Sequence, residues 1–470
     1  MVFSTASFLY AFLPAFLLCY LLLPWKNAVA LFFSLLFFCW GEGVYVLLLL
    51  GVVALNYVVG RQLARVDTHE TRIAVLSVGV AGDLLVLGYY KYFGFIVNAL
   101  LGLDVEAESL PQLPLGISFF IFQSISYLVD VYRRDAQPAN SFFDLALYIA
   151  MFPQLIAGPI VRYQSVASAL QERRVSLADV GRGIQLFALG LAYKMLLANH
   201  CAEVADAVFA RDTSALSRSA AWLGVAAYTL QIFFDFAGYS LMAIGLGRVI
   251  GFRFPRNFNY PYVSRSITEF WRRWHLSLSS WFRDYLYIPL GGNRRGAART
   301  YANLFIVFFL CGLWHGAAWT FVAWGMFHGC LLVVERAGLG RALGRVPAAF
   351  AYIYTLGMVM IGWALFRAED FAQAGGILGR MFLPAVANAT VYPAQVLSNE
   401  NMIIMIFAAF MCLPWLEKTR WRSWDEADDQ LQPRSPLTVG VDALVILLLL
   451  ALCSVFVMSG TYNPFIYFRF

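Results

Sequence analysis

Val44-Tyr45-Val46-Leu47-Leu48-Leu49-Leu50 opens an apolar segment that runs over 43–59 without a charged side chain. A membrane-spanning β-strand alternates apolar and polar side chains over ~10 residues. This run does not alternate, so it reads as a helix rather than a barrel strand. A helix needs ~20 apolar residues to cross the hydrocarbon of a bilayer. Working outward, further apolar segments lie at 7–24, 28–40, 72–103, 114–132, 143–161, 183–200, 219–250, 303–334, 347–366, 401–416 and 437–458. The expectation is an all-α polytopic membrane protein of about eleven to thirteen membrane helices. No internal repeat is visible, and 1–470 reads as one integral-membrane domain.

Composition supports this. Of 470 residues, 61% are apolar and 13% charged, against ~45–50% and ~25% in a typical soluble domain. Mean hydropathy is +0.68. So little charge cannot cover a water-facing surface, so lipid must solvate much of it. The net charge of +6 is unevenly placed and reads as topology, not nucleic-acid binding. Basic residues cluster at Arg61, Arg65 and Arg72, at Arg133 and Arg134, at Arg173 and Arg174, across 248–299, and at Lys418, Arg420 and Arg422. Asp104, Glu106 and Glu108 form an acidic break. Placing the basic loops in the cytoplasm puts both termini outside. The count closes only if 143–161, with its Phe152-Pro153 and Gly158-Pro159 breaks, is re-entrant and 303–334 is a hairpin. Pro24-Trp25-Lys26 after Leu23 is no small-residue cleavage site, so the first segment reads as an uncleaved helix. The seven cysteines stand singly, with no CxxC pair, which argues against a disulfide framework or a zinc site.

The segment 267–290 differs from its neighbours. Ile267, Phe270, Trp271, Trp274, Leu278, Trp281, Phe282, Tyr285 and Ile288 fall within an arc of about 120° at helical spacing. Glu269, Arg272, Arg273, Ser279, Ser280 and Arg283 fall outside it, and His275 lies at its border. The pattern predicts one amphipathic helix at the membrane surface, or dipping into it. Between 248 and 299, ten arginines stand against two acids, Glu269 and Asp284. Arg272, Arg273 and Arg283 are candidate contacts for a donor's phosphates, because the planar guanidinium fork suits phosphate oxygens. The competing reading is a positive-inside signal touching lipid headgroups, and spacing alone favours it.

Five histidines are present. His69 and His200 lie in or beside polar breaks and read as solvated. His315, in Gly312-Leu313-Trp314-His315-Gly316, and His328, in Met326-Phe327-His328-Gly329, lie inside an apolar segment. An imidazole there needs a partner or a wet cavity and is a functional candidate by default. Gly312 and Gly316 clear space around His315, which favours function; His328 reads as structural. On one continuous helix the two would be ~20 Å apart on nearly opposite faces, so a shared metal is not expected. Asp83, Asp130 and Asp235 are intramembrane acids without an assigned role. The chain lacks HExxH, Walker A and GxSxG motifs, and Gly338-Leu339-Gly340 follows no strand.

Three stretches carry a resemblance. The first is Trp271-Arg272-Arg273-Trp274-His275-Leu276-Ser277-Leu278-Ser279, continuing as Arg283-Asp284-Tyr285-Leu286-Tyr287-Ile288-Pro289-Leu290-Gly291-Gly292. The second is Gly312-Leu313-Trp314-His315-Gly316 with Trp319-Thr320 and His328-Gly329. The third is Met1-Val2-Phe3-Ser4 with Phe8-Leu9 and Leu13-Pro14. Together they resemble the membrane-bound O-acyltransferase family, in the branch of the alginate O-acetyltransferase membrane protein. Pro153-Gln154-Leu155-Ile156-Ala157-Gly158-Pro159-Ile160 and Phe254-Pro255-Arg256-Asn257-Phe258 extend the match along nearly the whole chain.

The resemblance implies transfer of an acyl group from a thioester, with acetyl-CoA as donor substrate and no permanently bound cofactor. His315 corresponds to the family's principal histidine and would act as general base within 303–334. His275 corresponds to a second polar position with a supporting role. The acceptor would be an exported polysaccharide, alginate- or cellulose-like. A periplasmic SGNH-hydrolase-like partner and a polysaccharide synthesis and export complex would complete the pathway in a bacterial inner membrane. The last residues, Phe465-Ile466-Tyr467-Phe468-Arg469-Phe470, resemble a C-terminal aromatic motif in which Tyr467 is a candidate acyl carrier. Arg469 departs from that pattern, and an interfacial aromatic anchor is the alternative. Two other classes stay open: direct O-acylation of a lipid or protein, and a lipid or acyl transporter that performs no chemistry.

Overall fold

A computed structural model describes residues 2–383, 389–415, 436–460 and 466. Among the described residues the regular elements are helices, with one isolated bridge, Leu216 to Val391. Among the described residues, seven helices are long and apolar enough to cross a membrane: Tyr45–Leu63, His69–Tyr92, Leu177–Phe209, Arg218–Val249, Gly296–His315, Ala348–Arg367 and Leu437–Met458. Phe8–Leu22 and Asn399–Met411 are shorter apolar helices. Lys26–Glu42 and Ile117–Arg133 have 17 residues each, and Trp319–Val334 has 16. Many outward side chains are leucine, such as Leu21, Leu47, Leu85 and Leu447. Water would not tolerate that surface, whereas lipid does.

The chain divides into two compact units. The first comprises Met1–Leu189 and Tyr239–Pro255. Its aromatic core gathers on Phe152, whose ring lies 5.0 Å from Phe16, 5.3 Å from Phe12 and 5.6 Å from Phe37. The segment expected to be re-entrant breaks at Met151 into Phe142–Ala150 and Phe152–Leu155. Its backbone is buried from Leu145 to Val161, the setting in which irregular backbone is tolerated at membrane depth. Asp83 is held in the same unit by Asn56 Nδ2 at 2.8 Å.

The second unit comprises Gly190–Gly238 and Arg256–Phe470. The expected 303–334 hairpin is Gly296–His315 followed by Trp319–Val334, starting seven residues earlier than the apolar run. The two helices touch backbone to backbone. A Cβ at Gly312 would meet the Phe321 carbonyl, and one at Gly325 would meet that of Phe308. Small residues permit this approach between membrane helices.

The single amphipathic helix expected over 267–290 does not form. Ile267–Trp271 is one short helix and Leu276–Phe282 another, separated by His275 at φ 44°, ψ 56°. That left-handed backbone cannot continue a right-handed helix. Most of the apolar arc faces protein, with Trp271, Trp274, Leu278 and Trp281 buried, whereas Ile288 at its end is exposed. Glu335 anchors the first helix: its carboxylate accepts the N–H groups of Ile267 at 2.6 Å and Thr268 at 2.9 Å, and the Thr268 hydroxyl at 2.7 Å. A carboxylate at a helix N-terminus satisfies donors that have no intrahelical partner.

Candidate functional site

His315 ends the helix Gly296–His315, where Gly316 carries the chain into extended backbone. The imidazole is 5% exposed. Three rings meet it edge-on: Trp314 at 4.9 Å, Trp324 at 5.1 Å and Phe366 at 5.2 Å between centroids. His315 opens onto a cavity of about 10 Å³ whose walls include Trp274, Trp324, Trp363, Phe366, Ile232 and Phe236. That volume holds about one water-sized group. Ile466, from the C-terminal motif, forms part of the same wall.

His275 is fully buried, not at the border of an exposed face. Its Nδ1 lies 3.1 Å from Asn257 Oδ1. The same oxygen receives the Ser277 hydroxyl at 2.9 Å and the Ser277 N–H at 3.3 Å. A backbone N–H can only donate, so this atom of Asn257 is the acceptor. His275 Nδ1 therefore carries the proton, and Nε2 holds a lone pair with no hydrogen-bond partner among the described residues. Burial pushes the imidazole down to about 3, so it is neutral at pH 7. Trp314 stands next to both histidines, 5.9 Å from His275 and 4.9 Å from His315.

His328 lies against the other side of this cluster. Its ring is 5.2 Å from Trp324, and its Nδ1 accepts Trp271 Nε1 at 3.4 Å. The turn at 316–318 replaces the continuous helix assumed for the ~20 Å separation, and both His315 and His328 contact Trp324. Gly362 makes room for His328: a Cβ there would stand 2.8 Å from Nε2. His69 is exposed. His200 is not solvated as its position suggested; it is buried, with Nε2 3.4 Å from Glu400 and its ring 5.5 Å from Phe456.

The candidate phosphate contacts lie outside the cavity wall. Arg273 pairs with Glu269 at 2.9 Å and donates to the Asn259 carbonyl at 3.1 Å. Arg283 pairs with Asp284 at 2.6 Å, and Arg272 is exposed. Tyr467 lies outside the described residues. The cavity walls were not legible in the sequence. Trp363 and Phe366 sit in an ordinary apolar helix, and Asn257 carried no signal except its place in Phe254-Pro255-Arg256-Asn257-Phe258.

The fold is that of a polytopic helical membrane protein, with a buried histidine on a narrow cavity. Residues 116–366 match the model of MBOAT, the membrane-bound O-acyltransferase family. The chain is 39% identical to the probable alginate O-acetylase AlgI of Azotobacter vinelandii, with 100% of each chain covered. It is 41% identical to that of Pseudomonas putida, again over 100% of both. It is 35% identical to the peptidoglycan O-acetyltransferase of Helicobacter pylori over 81% of this chain and 80% of the other. The chain belongs to the membrane-bound O-acyltransferase family. It is a membrane enzyme that transfers acyl groups to oxygen.

Proposed function

We propose that the acyl group is acetyl, that its donor is acetyl-CoA on the cytosolic side, and that the final acceptor is an exported polysaccharide. The observation that carries this reading is the cavity at His315. It is about 10 Å³, walled by aromatic rings, and shared with Ile466 of the C-terminal motif. A space that holds about one water-sized group excludes a long acyl chain and favours the smallest acyl groups. The similarity to alginate and peptidoglycan O-acetyltransferases along most of the chain supports the same substrate class. The enzyme then sits in a bacterial inner membrane with both termini periplasmic, as the basic loops suggest.

In this reading His315 is the general base. It takes the proton of an acceptor hydroxyl as the oxygen attacks the thioester carbonyl. The C–S bond breaks, and the imidazolium returns the proton to the leaving CoA sulfur. His275, neutral and held by Asn257, supports the donor or a water through Nε2. Arg272, Arg273 and Arg283 contact the CoA phosphates, with Arg272 the most available of the three. Tyr467 is the first acceptor, and its neighbour Ile466 lines the cavity with His315. A free phenol has pKa ~10 and imidazole ~6.5, so complete proton transfer before attack costs about 5 kcal/mol in water. Transfer concerted with attack avoids that intermediate. The tyrosyl ester then passes its acetyl group to a serine of a periplasmic SGNH-hydrolase-like partner and on to a sugar hydroxyl. Acetyl crosses the membrane while the polar body of CoA stays inside.

The test is radiolabelled acetyl-CoA with the purified protein alone, followed by peptide mass mapping of wild type, His315→Ala and Tyr467→Phe. Label on Tyr467 that disappears in both variants supports the relay. Turnover that needs His315 and an added partner, without labelled protein, removes the tyrosine carrier and leaves direct transfer. No turnover under any condition rejects acetyl-CoA as donor.

A further inference from the structure

Ile466 does more than line the cavity. Its backbone N–H donates to Asp235 Oδ2 at 2.8 Å, and the side chain is buried. Asp235 is itself fully buried, and its Oδ1 lies 2.8 Å from Lys194 Nζ. Ile232 and Phe236, which flank Asp235 on the helix Arg218–Val249, are cavity walls. Lys194 sits in the π-helical turn Tyr193–Ala198, an irregularity that interrupts the long helix Leu177–Phe209. Such turns recur at functional sites. Gly238 lets the two helices approach: a Cβ there would stand 2.7 Å from the Gly190 carbonyl oxygen and 3.2 Å from the Lys194 backbone nitrogen. A short aspartate therefore reaches Lys194.

A buried ion pair is a poor source of stability, because desolvation offsets most of the Coulomb gain. Here the pair provides something apolar residues cannot, an ionised acceptor for one backbone N–H. Hydrogen bonds to ionised acceptors are about twice as strong as neutral ones. We propose that Asp235, braced by Lys194, is a positioning residue that seats the backbone of Ile466 in the wall of the His315 cavity. Ile466 is then a built part of the reaction chamber, and its docking excludes water from the donor thioester. The catalytic consequence rests on the acetyl-CoA reading; the docking itself does not.

Two double variants of the full chain in detergent micelles separate docking from charge. Lys194→Met with Asp235→Asn removes both charges but keeps an amide oxygen for the Ile466 N–H. Lys194→Met with Asp235→Leu removes both charges and the acceptor. Amide hydrogen exchange of the peptide containing Ile466 is read alongside hydrolysis and transfer of labelled acetyl-CoA. In the leucine variant, exchange at Ile466 should rise about tenfold or more, the size of one hydrogen bond to a charged group. Transfer kcat should fall by a similar factor with KM for acetyl-CoA unchanged, and hydrolysis to free acetate should rise. The asparagine variant should retain most of the wild-type behaviour. Ile466→Pro, which removes the donor together with the side chain in the wall, should raise exchange at the neighbouring amides and lower transfer as the leucine variant does, and covers the case in which that variant fails to fold. Equal exchange at Ile466 in the two double variants overturns the proposal, as does wild-type exchange around position 466 in Ile466→Pro. If no form turns over acetyl-CoA, the donor assignment fails while the exchange contrast still decides the docking.

Discussion

His275 and His315 show how much a single side chain depends on its surroundings. His275 takes a left-handed backbone, an uncommon conformation for a residue with a Cβ. That backbone drives its ring inward onto Asn257. Because burial lowers its pKa from 6.5 to about 3, the unfolded chain binds a proton there between those values that the folded chain does not. Stability is therefore full above about pH 6.5 and falls as pH drops toward 3, by at most about 1.4 kcal/mol per pH unit. Melting temperatures of wild type and His275→Asn from pH 8 to 4 should diverge in the acid, with the asparagine form losing less. Asparagine tolerates the left-handed backbone and does not titrate. At His315, replacement by alanine should lower acyl transfer by about 10²–10⁴-fold, the usual range for losing a general base. Thermal melting and detergent elution profile should remain close to wild type. Retained transfer would remove the base assignment.

At the scale of elements, the hairpin that carries His315 depends on glycine. Gly312 and Gly325 sit where each helix meets a carbonyl of the other. Gly325→Ala should cost about 1–3 kcal/mol through overpacking and lower the melting temperature by several degrees. Gly357→Ala is the control, since open space surrounds that position in the helix Ala348–Arg367. It should be neutral or slightly stabilising, as alanine favours helix by about 0.5–1 kcal/mol. The hairpin was legible because a 32-residue apolar run (303–334) is too long for one span of ~20 residues. The break at His275 was not, because periodicity over 267–290 is nearly ideal and backbone strain leaves no mark on a hydrophobic pattern. Glu335 decides where that segment starts, from 68 residues away in sequence. Local spacing cannot report such a contact.

At the scale of the whole molecule, the exposed large apolar side chains are most often leucine, with valine and phenylalanine next, and lipid is their solvent. The basic loops predict an orientation that labelling can check. Asp67 lies in the break between Tyr45–Leu63 and His69–Tyr92, and Glu108 lies in the acidic break. In intact cells, a membrane-impermeant maleimide should label Glu108→Cys after the outer membrane is permeabilised and should leave Asp67→Cys unlabelled until the inner membrane is opened. The reverse pattern would invert the topology and place the termini in the cytosol.

By itself the sequence determined that this chain is a helical membrane protein, and its motifs placed it among the O-acyltransferases. Both follow from short-range facts: the length and continuity of apolar runs, and the spacing of residues such as Trp314-His315-Gly316. Tertiary structure alone decided what surrounds His315. Trp324, Trp363 and Phe366 are apolar residues like dozens of others until two helices bring them to one cavity. Asp235, an intramembrane acid without a role in the sequence, meets Lys194 and the Ile466 N–H. His200 changes from a residue beside a polar break to one buried against Glu400 and Phe456. The reason is common to all three: neighbours, including the partner that a buried polar group needs, are chosen by distance in space, which a linear pattern of hydrophobicity does not encode.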